Sequence, residues 1–414
     1  MSTKADRPAR PGQRVSGVDV ASFGLIIAAI VLGWQIAIQP LMQRAPVEAA
    51  IRLAPGAPLV LRRAAESELA AGRVENAAAL GRDALARSPF DARALRIVGL
   101  TEARAGREAE ADDILTLAGN WSLRDDPAHA WLVERRLRRG DYASAFAHAD
   151  TLVRRRQDIQ PQVFRLFTVA GTEDPQRSLP VIANLLSTQP PWRGAYLGSL
   201  NKTPEDVQIL SNLAVLLEAS SAPLNQGELR FLYLTLLERG QFEALRTIRG
   251  RINRPSAGLA VTNGGFDDGA APEPFQWQLH QKAGILVEIV SDDIRPSNPA
   301  LRVDYDGYAT GAIANQLTSL TPGAYRFTAD VRTETGNPTA RLAWTVTCAS
   351  GGGRLASFPA GASPADSGAW TEFSAKFEVP ADCPVQWLGL ETRAADRRSP
   401  TVAWFDGIKI TPVG

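Results

Sequence analysis

Residues 324–348 read AYRFTADVRTETGNPTARLAWTVTC, and their alternation decides the fold of the last third of the chain. Tyr325, Phe327, Ala329 and Val331 fall at every second position, the period of a half-buried strand. Thr335-Gly336-Asn337-Pro338 supplies a turn, and a second strand-like run ends at Cys348. Outward from this stretch the same pattern recurs at 285–290, 300–305, 312–318, 371–379, 385–391 and 402–411, with Thr321-Pro322-Gly323 as another turn. Short strands at this spacing predict a β-sandwich or jelly roll.

Upstream the period is helical, and the sequence repeats on itself. Gly72, Gly106 and Gly140 lie 34 residues apart, and Ala77, Ala111 and Ala145 keep the same step. So do Ala84, Ala118 and Leu152, and Ala65, Gly99 and Val133. Small residues suit helix crossings, and the glycines suit turns that need a left-handed residue. The pattern resembles the tetratricopeptide repeat, a helix–turn–helix unit of about 34 residues. Residues 157–226 lose the register. It returns at Glu228, where Gly240-Gln241-Phe242-Glu243-Ala244 echoes Gly140-Asp141-Tyr142-Ala143-Ser144. Residues 57–252 are therefore expected to form one α-solenoid, a scaffold suited to holding a protein partner. The runs Arg135–Arg139 and Arg154–Arg156 are read either as solvated faces or as an anion-binding stripe, with Asp125, Asp126, Glu134 and Asp158 near enough to offset them.

The N-terminus carries a different signal. Val20–Ile38 holds 19 residues without a charge, about 28 Å as a helix and close to a bilayer's hydrocarbon thickness. The run exceeds a signal-peptide core of roughly 7–15 residues. An uncleaved anchor is the reading taken over a cleaved signal or a buried core helix. Basic residues are denser before the span than after it, which predicts a cytoplasmic tail at 1–19 and an exported remainder. The expected location is a bacterial inner membrane, single-pass, with the C-terminal domains periplasmic. Residues 39–56 are read as a linker.

Composition narrows the function classes. The 414 residues carry 45 Lys+Arg and 44 Asp+Glu, a formal charge of +1. Such balance argues against nucleic acid as the partner. The charge is unevenly spread, with 12 basic and 17 acidic residues after residue 254. Three His and two Cys leave little material for zinc or iron–sulfur sites. No nucleophile–base pairing, P-loop or dinucleotide glycine motif stands out, and Asp292, Asp293, Asp304 and Asp306 read as exposed acidic loop residues. No catalytic residue is assigned and no enzyme is expected.

The β region over 258–414 carries its own markers. They run from Asn263-Gly264-Gly265-Phe266-Asp267-Asp268-Gly269 and Trp277, through Ile313, Gln316, Leu320–Phe327 and Trp370-Thr371-Glu372-Phe373, to Phe405-Asp406-Gly407-Ile408-Lys409-Ile410. In this order they resemble the galactose-binding-like jelly rolls of carbohydrate-binding modules. The resemblance implies a glycan ligand and a structural calcium ion, for which Asp267 and Asp406 match, with Asn263 nearby. Sugar rings stack on exposed aromatic faces, so the candidate glycan contacts are Trp387, Trp404, Tyr308 and Gln316. Trp387 is opposite in phase to Leu388 and Leu390, and Trp404 to Phe405; Trp277, Trp370 and Phe373 match positions that are usually core and are set aside. Cys348 and Cys383 are expected to form a disulfide in an exported domain, with two buried free thiols as the alternative.

The whole is expected to be a multidomain α and β protein: a single transmembrane helix, an α-solenoid of TPR-like hairpins and a C-terminal β-sandwich. The functional expectation is a membrane-anchored periplasmic adaptor holding a protein partner and a polysaccharide, by analogy in surface polysaccharide synthesis or export. An envelope assembly protein whose jelly roll binds protein, and a glycan-active enzyme, are the alternatives.

Overall fold

The computed structural model describes residues 25–30, 32–34, 40, 42–252, 260–267, 269, 271–351, 353–361, 368–393 and 398–413. A helical N-terminal part precedes a two-sheet β-sandwich. By contact density the chain falls into two compact units, Met1–Leu152 and Val153–Gly414. The division lies inside the helical stretch rather than at its end.

The anchor expected over Val20–Ile38 is corrected by the structure. Among the described residues no helix is long and apolar enough to cross a membrane. Of that run only 25–30 and 32–34 are described, as helix. The rest of the run and the tail 1–19 lie outside the described residues. The single-pass inner-membrane location drawn from them falls with the span.

In the first unit, α1 (Val47–Leu53) leads into helices paired head to tail: α2 (Pro58–Ala70) with α3 (Val74–Arg87), α4 (Ala92–Arg104) with α5 (Glu108–Trp121), and α6 (Asp126–Arg138) with α7 (Tyr142–Arg155). Gly72, Gly106 and Gly140 have φ of +78°, +79° and +67°. Each ends its first helix in the left-handed conformation that lets the chain reverse at once. Small residues fix the crossings. A Cβ on Gly99 would stand 2.7 Å from Leu115 Cγ, so α4 and α5 meet at a distance only glycine allows. Ala111, Leu115, Ala118, Ala128 and Leu132 carry the core onward to α6. The Arg135–Arg139 cluster is spent on ion pairs. Arg136 and Arg139 both reach Asp112 at 2.8 Å, Arg135 reaches Glu108 and Arg138 reaches Glu134. It therefore offers no free anion-binding stripe.

The second unit begins with six further helices: α8 (Gln160–Glu173), α9 (Pro175–Ser187), α10 (Arg193–Ser199), α11 (Pro204–Glu218), α12 (Gln226–Glu238) and α13 (Phe242–Arg251). Their register differs from the first unit because aromatic rings replace alanines in the core. Phe164, Phe167, Trp192 and Tyr196 pack with centroids 5.3–6.2 Å apart. Buried Arg193 ties the segment together, with Glu228 at 2.8 Å and the Leu186, Ala222 and Pro223 carbonyls. Helices α12 and α13 meet the sandwich. Tyr233 packs edge-on against Phe275 at 5.1 Å, the Arg249 guanidinium lies 4.5 Å over the same ring, and Arg230 bonds Glu273 at 2.8 Å.

Among the described residues the sandwich has ten strands: β1 (Gln278–Leu279), β2 (Ile285–Ser291), β3 (Pro299–Tyr305), β4 (Ala312–Thr318), β5 (Gly323–Thr335), β6 (Leu342–Cys348), β7 (Arg354–Pro359), β8 (Thr371–Val379), β9 (Gln386–Thr392) and β10 (Thr401–Pro412). They form two five-stranded antiparallel sheets, β1-β4-β9-β6-β7 and β2-β3-β10-β5-β8. The inner faces supply one core, with Trp277, Phe327, Trp344, Leu388, Leu390 and Phe405 in it. The alternation over Tyr325–Val331 points these side chains inward as expected. Cys348 and Cys383 are joined in a disulfide across a sequence separation of 35, which settles the choice between bond and free thiols. Gly264 lies so close to the last strand that a Cβ there would stand 2.0 Å from the Ile408 carbonyl oxygen.

Candidate functional site

The outer face of the first sheet holds the best-formed arrangement. Register aligns Gln278, Asn315, Gly389, Thr345 and Ser357 in one row across all five strands. The next row aligns Leu317, Trp387, Thr347 and Arg354. Since Leu388 and Leu390 are core, their neighbours Trp387, Gly389 and Glu391 project to the opposite face. Gly389 leaves the middle of this face without a side chain, and a Cβ there would stand 3.2 Å from Thr345 Oγ1.

Polar groups surround this floor and are held in place. Thr345 donates to Glu391 at 3.2 Å, and the Arg354 guanidinium donates to the same carboxylate at 2.9 Å. On the other side the His280 ring bonds the Asn315 side chain. Trp387 is partly exposed beside the floor. The face thus combines one indole with an amide, a carboxylate, a guanidinium and an imidazole. Such a set can cover the C–H face of a sugar ring and bond its hydroxyls.

Tyr308 lies elsewhere, in the loop between β3 and β4, with 66 % of its surface exposed. Two residues before it, Asp306 lines an open cavity of about 490 Å³ together with Gln281, Lys282, Leu286 and Asp304. The Asp306 carboxylate accepts from the backbone N–H groups of Tyr308 and Ala309, which hold it below the usual carboxylate range. Arg398 sits 5.3 Å over the Tyr308 ring.

Two candidate contacts have structural duties instead. Gln316 is fully buried, and its amide makes two bonds to the Thr262 backbone, at 2.8 and 2.9 Å. It locks the entry loop to β4 and cannot meet a ligand. Trp404 does point away from the core, as its phase predicted, yet only 6 % of it is exposed. Register places it between Arg302 and Arg332, whose guanidinium groups lie 5.8 and 4.9 Å from its ring, and its N–H donates to Glu334 at 2.9 Å. Trp370 is on this outer face too, under Arg295 and bonded to Asp292. Alternation along a strand gives side-chain phase; it does not show that arginines and a loop cover the outer face.

The residues matched to calcium do not fit the ion. Both Asp406 oxygens are taken by N–H donors, from Gly407 at 2.7 Å, Asn298 at 2.6 Å and Arg295 at 3.3 Å. Burial raises the Asp406 pKa, opposed by the Gly407 N–H and by Arg295. Asp267 is exposed, and the Asn263 carbonyl accepts the Trp277 N–H. Among the described residues no group of three or more His, Cys, Asp or Glu could hold a metal ion.

No protein-family model matches the chain, and no curated protein matches it by sequence. Solved structures do. A family 4 carbohydrate-binding module shares 16% identity, covers 37% of this chain and 99% of its own, and superposes with a TM-score of 0.29. A family 61 module in complex with β-1,4-galactotriose gives 16%, 37%, 99% and 0.27. A module from Cellvibrio mixtus lichenase 5A in complex with cellotriose gives 17%, 33%, 92% and 0.22. At this identity and superposition the likenesses carry no argument about what this chain binds, and the outer face of its first sheet must be judged on its own residues.

Proposed function

We propose that the C-terminal sandwich is a non-catalytic glycan-binding module whose ligand lies across the outer face of the first sheet. One observation supports the reading above the others: the side-chain-free floor at Gly389, with Trp387 beside it and Asn315, Glu391 and Arg354 around it. Trp387 would stack on a ring and Asn315 and Glu391 would bond its hydroxyls. Arg354 holds Glu391 in place, so the carboxylate needs no reorganisation on binding.

We further read the hairpins that reverse at Gly72, Gly106 and Gly140 as TPR-like, with a protein partner on the helical part. The protein would then be an adaptor between a protein and a glycan. Affinity electrophoresis of the full chain through gels containing soluble polysaccharides tests the glycan reading. At least one polysaccharide should retard it, and Trp387→Ala should weaken that retardation by about tenfold with the melting temperature nearly unchanged. If no polysaccharide of a broad panel retards the intact protein, the glycan reading fails.

A further inference from the structure

A second cleft lies in the helical part of the second unit, away from any strand. Its volume is about 380 Å³, within the range of small-ligand sites. Helix α8 contributes Phe164, Arg165 and Thr168, α10 contributes Ala195, the turn into α11 contributes Lys202, and α11 itself contributes Asp206.

Among the described residues the two cations here lack the carboxylate partners that several arginines of the helical region have. Arg136, Arg156, Arg177 and Arg193 all have carboxylate partners. Among the described residues the Arg165 and Lys202 side chains make no hydrogen bond or ion pair, although both line the cleft. The carboxylate nearby is already committed. Asp206 accepts the backbone N–H groups of Lys202 at 3.1 Å and Thr203 at 3.0 Å, as part of the capping box that starts α11. It is fixed by the backbone rather than drawn to either cation. Two cations thus face a concavity whose wall is partly the Phe164 ring and the Ala195 methyl group. A low-dielectric wall focuses their field into the opening.

We propose that this cleft binds a small organic monoanion, a carboxylate with an apolar body. Two cations against one fixed carboxylate leave a net charge of +1, which matches a monoanion. A dianion would meet stronger repulsion from Asp206. The carboxylate sits between Arg165 and Lys202 with the Thr168 hydroxyl as a further donor, and the apolar body covers Phe164 and Ala195. The buried Tyr196 hydroxyl, near Thr168 and Asp206, stays protonated because burial raises its pKa.

Calorimetric titration of the full chain with N-acetyl-leucine, its neutral amide and inorganic phosphate tests this. The acid should bind with a Kd of about 1 mM or tighter, and the amide should give no heat. Arg165→Ala and Lys202→Ala alter exposed side chains and should each weaken binding about tenfold. Ala195→Phe, which fills the cleft while both cations remain, should abolish it. A tetrapeptide ending in a free leucine carboxylate separates two sources of the same chemistry: tighter binding than the acid assigns a chain terminus, and equal binding a free acid. The proposal is overturned if the acid gives no heat, if the amide binds as well as the acid, if phosphate binds more tightly, or if all three variants retain binding with unchanged circular dichroism.

Discussion

The Nδ1 atoms of His129 and His148 lie 3.0 Å apart, bridging α6 and α7 in the first unit. One ring must donate and the other accept, so the contact requires at least one neutral imidazole. Burial lowers the His148 pKa from 6.5 to about 4, aided by His129 and Arg136 and opposed by Asp141 and Asp112. The unfolded chain therefore binds a proton more readily between those values. Stability is fully present above about pH 6.5 and falls as pH drops towards 4. The expected loss is about 2 kcal/mol, discounted for partial exposure. Thermal melts of the helical signal across that window check it, and His148→Gln should flatten the dependence. An equally stable wild-type protein at both ends of the window would refute the assignment.

Asp292 should be the costliest single carboxylate to remove from the sandwich. It is 1 % exposed, accepts from Arg332 at 2.7 Å and from the Trp370 N–H at 2.7 Å. Asp292→Ala leaves Arg332 buried without its counter-charge, a change worth about 3–5 kcal/mol. Denaturant titration followed by tryptophan fluorescence measures the loss, and a change below about 1 kcal/mol would contradict it.

The Cys348–Cys383 bond closes a loop that holds β7 and β8. Chain-entropy arguments put its contribution at about 4 kcal/mol. Reduction with dithiothreitol, or Cys383→Ala, should lower the sandwich transition by that order and leave the first unit's transition in place. A melt insensitive to reduction would show that the loop is constrained without the bond.

Gly264 is the position where the smallest substitution should do most harm. An added methyl would meet the Ile408 carbonyl at 2.0 Å, and the Ile408 N–H bonds the Gly264 carbonyl at 2.8 Å. Gly264→Ala must break that pairing, at about 3 kcal/mol or more. Gly250→Ala, where nothing lies within 4 Å, serves as the control. Equal melting temperatures for the two variants would rule out the close approach.

Much of this architecture is legible in the sequence because it rests on local rules. The glycines at 72, 106 and 140 mark reversals, since a left-handed turn tolerates little else. Alternation over Tyr325–Val331 gives the inner face because a strand's period is two. The outer faces are harder to read. Trp387 and Trp404 share the outward phase, yet one is half-exposed beside Gly389 and the other lies between two arginines. What covers Trp404 comes from β3 and β5, a pairing set by topology rather than by neighbours in the chain. The Gly389 floor was open to sequence reasoning through its phase with Trp387, but Asn315 and Arg354 enter the site only through strand order. The apolar run near the N-terminus satisfied a length rule that no described helix satisfies.

Phe275 belongs covalently to the approach to β1, but its cover comes from Tyr233 and Arg249 on two helices. Only 1 % of its surface is exposed. An excised sandwich starting near residue 260 would present this ring to water and invite aggregation. The exchangeable cassette, for truncation in the laboratory or recombination between genes, therefore starts near Val153 and keeps α12 and α13 as the cover of Phe275.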